Sequence, residues 1–449
     1  MRTWIKSPLA VFDGHQELKC NGFVIEGNRI VQIPGLGQHP DLPVDEIHNA
    51  SDQVVIPGLV NTHHHYYQTL TRACPAGLDK KLFPWLKGLY PIWANLTPEM
   101  IDVSTRVACA ELLLSGCTTS ADHHYLFTDQ CLDALDIQVK AVHETGIRSM
   151  LTRGSMDLDR DQGGLPPSST VQDTDTILSD CEHKIDQYHD SSPGSMLRIA
   201  LAPCSPFSVT RELMVRTAEL AEKKAVLLHT HLAETLDENT YSENKLGCRP
   251  LEYLESTGWM QGRTWLAHGI HFNDAEIERL GNREAGIAHC PTSNMTLGSG
   301  CCRVLPLAEA GAKVGLGVDG SASNDCSNMM QEVRQAFLLQ RLHSGPEEFG
   351  HLRALRLATS GSADCLGWTG IGCLEVGTLA DIALYRLDEI RFSGVGDPIA
   401  ALVLCGGHHA SDVMVNGIWQ VRDGRLLKPD MEKIHQQHRD LAIQILQDN

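Results

Sequence analysis

The stretch NTHHHYYQTL (61–70) sets three histidines in a row behind the apolar run VVIPGLV (54–60). Successive side chains of an extended segment point to opposite sides, so His63 and His65 share a side while His64 points away. Further along, HTHLAET supplies His229, His231 and Glu234, LAHGIH supplies His268, and GLGVDGSASN supplies Asp319. Imidazole nitrogens with a carboxylate suit a divalent cation such as Zn²⁺, and a catalytic ion of this kind keeps one position open for water. Any one of these groups taken alone reads equally well as ordinary core or surface. The elements that carry them decide whether they meet.

Eight short apolar, β-rich runs are candidate strands: 54–60, 117–122, 148–154, 197–203, 225–231, 264–269, 286–291 and 313–319. Helical stretches lie between them. In TPEMIDVSTRVACAELLLSG, Thr97 is placed as an N-cap, Pro98 at the first helical position and Gly116 as the stop. TRELMVRTAELAEKKA, from Thr210, has the same entry signal and an apolar face of Leu213, Thr217, Leu220 and Ala221. Eight strands with intervening helices predict an α/β fold, a (β/α)₈ TIM-like barrel over residues 57–367. Every chemical group named above then falls where a strand meets its following loop, at the mouth of the barrel that carries chemistry in such folds.

The two ends read differently. GFVIEGNRIVQIPG (22–35), GTLADIALYRLDEIRF (377–392) and VMVNGIWQVRDGRLL (413–427) are strands broken by Gly and Asn turns, with no helices between them. Residues 1–56 and 368–449 are therefore expected to meet in one small β-sandwich beside the barrel, since either end alone has few strands with which to bury a face.

Composition narrows the function. A formal net charge of −19 opposes nucleic acid and anionic membrane surfaces, which reward a basic excess. No signal-peptide core opens the chain and no run of about 18 apolar residues interrupts it, which predicts a cytoplasmic protein. Fifteen cysteines without C-x-x-C pairs fit small core residues better than a disulfide framework or a zinc ribbon. A small-molecule substrate fits this profile.

PGLVNTHHH, HTHLAE, LAHG, HCPTSN and GLGVDGSASN, in this order, resemble the amidohydrolase superfamily in its branch of mononuclear deaminases and triazine hydrolases. The resemblance runs over nearly the whole chain, GTLADI included. It implies ligation of one divalent metal per subunit, Zn²⁺ or Fe²⁺, by His63, His65, His231 and Asp319. It further implies a proton shuttle at Glu234, a water- or substrate-orienting role for His268, proton acceptance by Asp319 alongside its ligand role, and a homo-oligomer. His64 and His229 match no ligand and are left to pack or hydrogen-bond behind the site. Dinuclear relatives bridge two metals with a carboxylated lysine on the fourth strand, and LRIALAPCSPFSVTR contains none. A catalytically silent relative would have lost ligands; none is missing.

The implied reaction is hydrolytic deamination of an amidine-like ring carbon. Branch members acting on adenosine derivatives carry an acid where this chain has Trp93 and a histidine where it has Cys204. Those departures favour a free, flat purine base, with a pterin or an s-triazine as the alternatives. Gln68 offers an amide for a purine edge or else a loop hydrogen bond, and Cys204 is either a contact to the five-membered ring or a core thiol. Trp93 or Tyr90 walls the pocket or simply packs. Arg153 binds a substrate oxygen or neutralises nearby carboxylates.

Overall fold

The apolar run 54–60 belongs to two layers rather than one strand. Gln53–Pro57 pairs with Ile382–Arg386 in a sheet built by the chain ends, and only after Gly58 does the chain enter the barrel as Leu59–Asn61 (β1). The crossing is tight: a Cβ at Gly58 would stand 2.2 Å from the side chain of Thr118, so only glycine passes there. The computed structural model describes residues 1–260, 262–428 and 430–447. The last two residues of the expected C-terminal part lie outside the described residues.

After β1 come Cys117–His124 (β2), Arg148–Ser155 (β3), Leu197–Pro203 (β4), Leu228–Leu232 (β5), Thr264–His268 (β6), Gly286–His289 (β7) and Lys313–Leu316 (β8), all parallel and neighbours in chain order. Hydrogen bonds from Thr62 N to Leu316 O and from Asp319 N to His63 O, each 3.0 Å, join the last strand to the first. The result is a (β/α)₈ TIM-like barrel. Its helices start where their caps sit: Thr97 accepts from Met100 N (3.3 Å) at the head of Pro98–Leu114, and Thr210 from Leu213 N (3.2 Å) at the head of Arg211–Lys224.

Val60, Ala121, Met150, Ala200, Trp265 and Ala288, one residue from each of six strands, pack together inside the barrel. Three alanines make room for one tryptophan. Trp265 stacks under His229 at 4.2 Å and donates from Nε1 to Thr62 O (3.1 Å), so the plug of the barrel is also the floor of the histidine cluster.

Beside the barrel, a four-stranded sheet of Arg2–Lys6, Gly22–Glu26, Arg29–Gln32 and Glu46–Asn49 faces a six-stranded sheet drawn from both chain ends. Ile5, Phe23 and Ile25 of the first meet Val55, Ile382, Leu384 and Met414 of the second. The ends are not free of helices as the turn pattern suggested. Pro398–Leu404 lies between two of the strands, and Met431–Gln447 runs back to pack on Pro98–Leu114. Among the described residues no helix is long and apolar enough to cross a membrane, and no disulfide forms.

One ionic strut ties the layers. Arg148, at the base of β3, donates from Nε and Nη2 to the two oxygens of Asp381 (2.9 and 3.0 Å), and both side chains are buried. Asp381 also accepts from Asn416 N (2.6 Å), while its carbonyl accepts from Gly58 N (2.9 Å) at the layer crossing. Removing one partner strands the other charge, so Asp381→Ala is expected to lower stability by about 3–5 kcal/mol. Urea denaturation checks this, and a loss below about 1 kcal/mol, the size of a surface pair, would contradict it.

Candidate active site

Four strand ends bring five side chains together. His63 and His65 follow β1, His231 lies in β5, His268 closes β6, and Asp319 follows β8 by three residues. His63 and His65 rings stand 4.7 Å apart, whereas the His64 ring turns to Tyr66 (5.0 Å) and its Nδ1 accepts from His65 N (2.8 Å).

The hydrogen bonds behind the rings assign their protons. His65 Nδ1 faces His123 O (2.7 Å) and His231 Nδ1 faces Cys204 O (2.6 Å). A carbonyl only accepts, so both Nδ1 atoms carry the proton and both Nε2 atoms present lone pairs. His229 donates from Nδ1 to Trp265 O (2.8 Å) and therefore accepts at Nε2 from His63 Nδ1 (2.8 Å), which leaves His63 Nε2 bare as well. Burial drives His65 down to about 3 and His231 well below the usual imidazole range, so the rings are neutral at neutral pH.

Those bare lone pairs face one another. His65 Nε2 is 3.2 Å from His231 Nε2, and Asp319 Oδ1 is 3.3 Å from His63 Nε2 and 3.4 Å from His65 Nε2. No proton is left to bridge them, and each unpaired buried acceptor would cost roughly 1–3 kcal/mol. Ligand atoms 2.0–2.1 Å from a tetrahedral centre stand about 3.3–3.4 Å apart, which is the spacing seen. The set fits a divalent cation. His123, on β2, brings one further donor atom within 4.8 Å of those of His63, His65 and His231; its Nε2 meets Ala202 O (3.0 Å) and its Nδ1 has no partner among the described residues.

Asp319 is held by Gly320 N (2.7 Å, to Oδ1) and Ser293 Oγ (2.6 Å, to Oδ2). Burial pushes its carboxyl up, but the surrounding rings, His63 first and then His268 and His65, outweigh that and hold it well below the usual carboxylate range. Glu234 goes the other way: burial first, then the charges of Asp319 and Glu238, raise it well above. Two carboxyls driven apart in one site make an acceptor and a proton carrier. Glu238 accepts from Ala233 N and Glu234 N (2.8 Å each), clamping the turn that presents Glu234. Asn294 Nδ2 donates to His268 Nδ1 (2.9 Å), so the ring proton sits on Nε2, 3.5 Å from Glu234 Oε2 and 3.9 Å from Asp319 Oδ2. Ala233, His268 and Asp319 all adopt positive φ (54°, 70° and 64°), local strain concentrated where the reacting groups are aimed.

A cavity opens onto these groups. Gln68 and Cys204 line it. Gln68 Oε1 also accepts from Ala322 N (3.3 Å) and sits so close that a Cβ at Gly320 would lie 1.9 Å from it. Trp93 and Arg153 do not line it. Trp93 is wholly buried behind the wall, donating to Thr71 Oγ1 (3.1 Å) amid Tyr67, Trp85 and Tyr90. Arg153 turns outward from β3, donating to Asp180 Oδ2 (2.7 Å) and Gln172 Oε1 (2.8 Å) with its guanidinium over Phe127, which is the carboxylate-neutralising alternative. Of the wall, sequence patterning singled out Tyr90 but not its neighbours. Leu82, Trp85, Leu86 and Tyr90 of helix Leu82–Trp93 form an i, i+3, i+4, i+8 stripe on the cavity, and Tyr125 and Phe207 complete it. The stripe was visible as helical periodicity; what it faced was not.

Comparison with known proteins follows the geometry. The model of the amidohydrolase family matches residues 54–419. An 8-oxoguanine deaminase of Pseudomonas aeruginosa is 55% identical over 98% of each chain, and a hydroxydechloroatrazine ethylaminohydrolase of a Pseudomonas species is 36% identical over 89% of this chain and 88% of its own. An atrazine chlorohydrolase of Arthrobacter aurescens, solved in complex with zinc, superimposes with a TM-score of 0.93 at 33% identity, covering 98% of this chain and all of its own.

The ring directions separate the three adjacent histidines. His63→Ala and His65→Ala are expected to lose bound divalent metal and activity together, whereas His64→Ala keeps its metal even where stability falls. Elemental analysis of the purified variants checks this; equal metal loss from all three would contradict the ring assignments.

Proposed function

The chain belongs to the amidohydrolase family, and on that premise we propose that it hydrolyses the 2-amino group of 8-oxoguanine, giving urate and ammonia. One observation carries the reading: Gln68 and Cys204 share a cavity with Glu234 and the histidine–aspartate cluster, in a chain 55% identical to an 8-oxoguanine deaminase. Residues 57–367 form the catalytic unit, and 1–56 with 368–449 its supporting sandwich.

His63, His65, His231 and Asp319 would hold one cation, Zn²⁺ or Fe²⁺, which when bound would supply Lewis acidity to lower the pKa of water to about 7. Glu234 accepts one water proton before attack and, assisted by Asp319 Oδ2, the second from the tetrahedral hydroxyl as the carbonyl forms. His268 Nε2–H orients the attacking oxygen, and Glu234 delivers a proton first to the ring nitrogen beside C2 and then to the departing ammonia. Gln68 turns its amide to the six-membered edge of the base, and the Cys204 thiol, which burial raises to about 11 and so keeps protonated, faces the C8 oxygen. Leu82, Trp85 and Leu86 close over the ring and exclude bulk water. The substrate is a small uncharged base, the protein is cytoplasmic and a homo-oligomer, and its net charge of −19 disfavours nucleic acid.

Two measurements test this. Metal-replete enzyme given 8-oxoguanine should release ammonia and form urate, followed by absorbance, with kcat/KM above that for guanine; release from guanine, isoxanthopterin or a triazine but not from 8-oxoguanine would sink the substrate assignment. Glu234→Gln keeps size but cannot take the proton, so kcat should fall by about 10² or more with metal retained. Near-normal turnover would remove Glu234 from the chemistry.

A further inference from the structure

Tyr90 is the unexplained group in the cavity wall. It is fully buried, its hydroxyl adjoins the Cys204 thiol and the Tyr125 hydroxyl without a well-formed hydrogen bond to either, and it lines the same cavity as both. The ring cannot swing to find a partner elsewhere: it stands edge-on against Trp93 at 5.9 Å, and Trp93 is itself pinned to Thr71. The other residues of its own helix that face the cavity are Leu82, Trp85 and Leu86, so the Tyr90 phenol is the hydroxyl that this helix offers to a ligand, with the Tyr125 phenol beside it. By contrast Glu234, His268 and Asp319 at the reacting end have partners within the protein.

We propose that Tyr90 is a specificity-determining residue whose hydroxyl donates to the oxygen on the five-membered-ring edge of the bound base. The inference rests on the reading of the substrate given above and deepens it. Cys204 adjoins Tyr90 and faces the same edge, but a thiol is a weak donor whereas a phenol is a strong one, and a carbonyl oxygen has two lone pairs to receive both. A base with hydrogen at C8 leaves the phenol as unpaired as it is in the free protein, so binding it gains nothing at this position. A base with oxygen there pairs it. Selectivity of this kind, a buried polar group left unmatched by the wrong substrate, is stronger than a hydrophobic pocket can provide.

The test is Tyr90→Phe in the metal-loaded enzyme, with kcat/KM measured for 8-oxoguanine and for guanine beside wild type. The expected result is a loss of about tenfold for 8-oxoguanine, the size of one hydrogen bond, carried mainly by KM, with guanine unchanged or improved. Binding to metal-free protein, read by tryptophan fluorescence, should weaken likewise for urate, which keeps the C8 oxygen, and not for xanthine, which lacks it. Phe removes only an unpaired hydroxyl, so the thermal midpoint should not fall; Tyr90→Leu gives the same ratio change should the Phe variant fold poorly. Equal losses for both substrates, or an unchanged ratio in an active enzyme, would overturn the role of Tyr90 and leave the substrate assignment standing. Wild-type enzyme inert toward 8-oxoguanine would overturn both.

Discussion

Everything in this molecule answers to a cluster of lone pairs that cannot satisfy one another. Three imidazoles have their Nδ1 protons committed to His123 O, Cys204 O and, through His229, Trp265 O, and their bare Nε2 atoms crowd with Asp319 at 3.2–3.4 Å in buried surroundings. In a low-dielectric interior such a set is stable only around a cation, and carbonyl anchors behind the rings fix which nitrogen points inward. The barrel is the device that supplies these anchors. Each of the three accepting carbonyls belongs to a neighbouring strand or to its first loop residue, so strand register and ring tautomer are set by the same pairing.

That arrangement requires a rigid floor. Trp265 provides it by filling the barrel beneath His229, and the alanines around it show the usual trade of one large residue against several small ones in a closed lumen. At the base, Arg148 and Asp381 bind the third strand to the sandwich, and the same aspartate's carbonyl receives the amide of Gly58 at the layer crossing that leads into β1 and the histidines. The sandwich thus bears on the position of His63 and His65 although it lies outside the mouth of the barrel.

Chemistry and selectivity are divided between different kinds of element. The clustered histidines, Asp319 and Glu234 sit on or just beyond strand ends, with positive φ at Ala233, His268 and Asp319. One side of the cavity comes instead from a helix inserted between β1 and β2, whose apolar stripe faces the polar residues of the strand ends. Such a helix can change its side chains without disturbing the histidine–aspartate cluster.

The histidine spacing, the strand-end position of each reacting group, the helix caps at Thr97 and Thr210 and the eightfold alternation were legible in the sequence, because each depends on local periodicity or on a residue's own conformational preference. The division of 54–60 between two sheets was not, since an apolar run reads alike whichever partner strand it meets. The membership of the cavity was legible only in part: Gln68, Tyr90 and Cys204 line it as expected, Trp93 and Arg153 carry suitable chemistry but turn to Thr71 and Asp180, and Trp85, Tyr125 and Phe207 reach the site unannounced. Which way a loop or helix side chain faces is decided by packing against segments distant in the chain, and that information exists only once the barrel has closed.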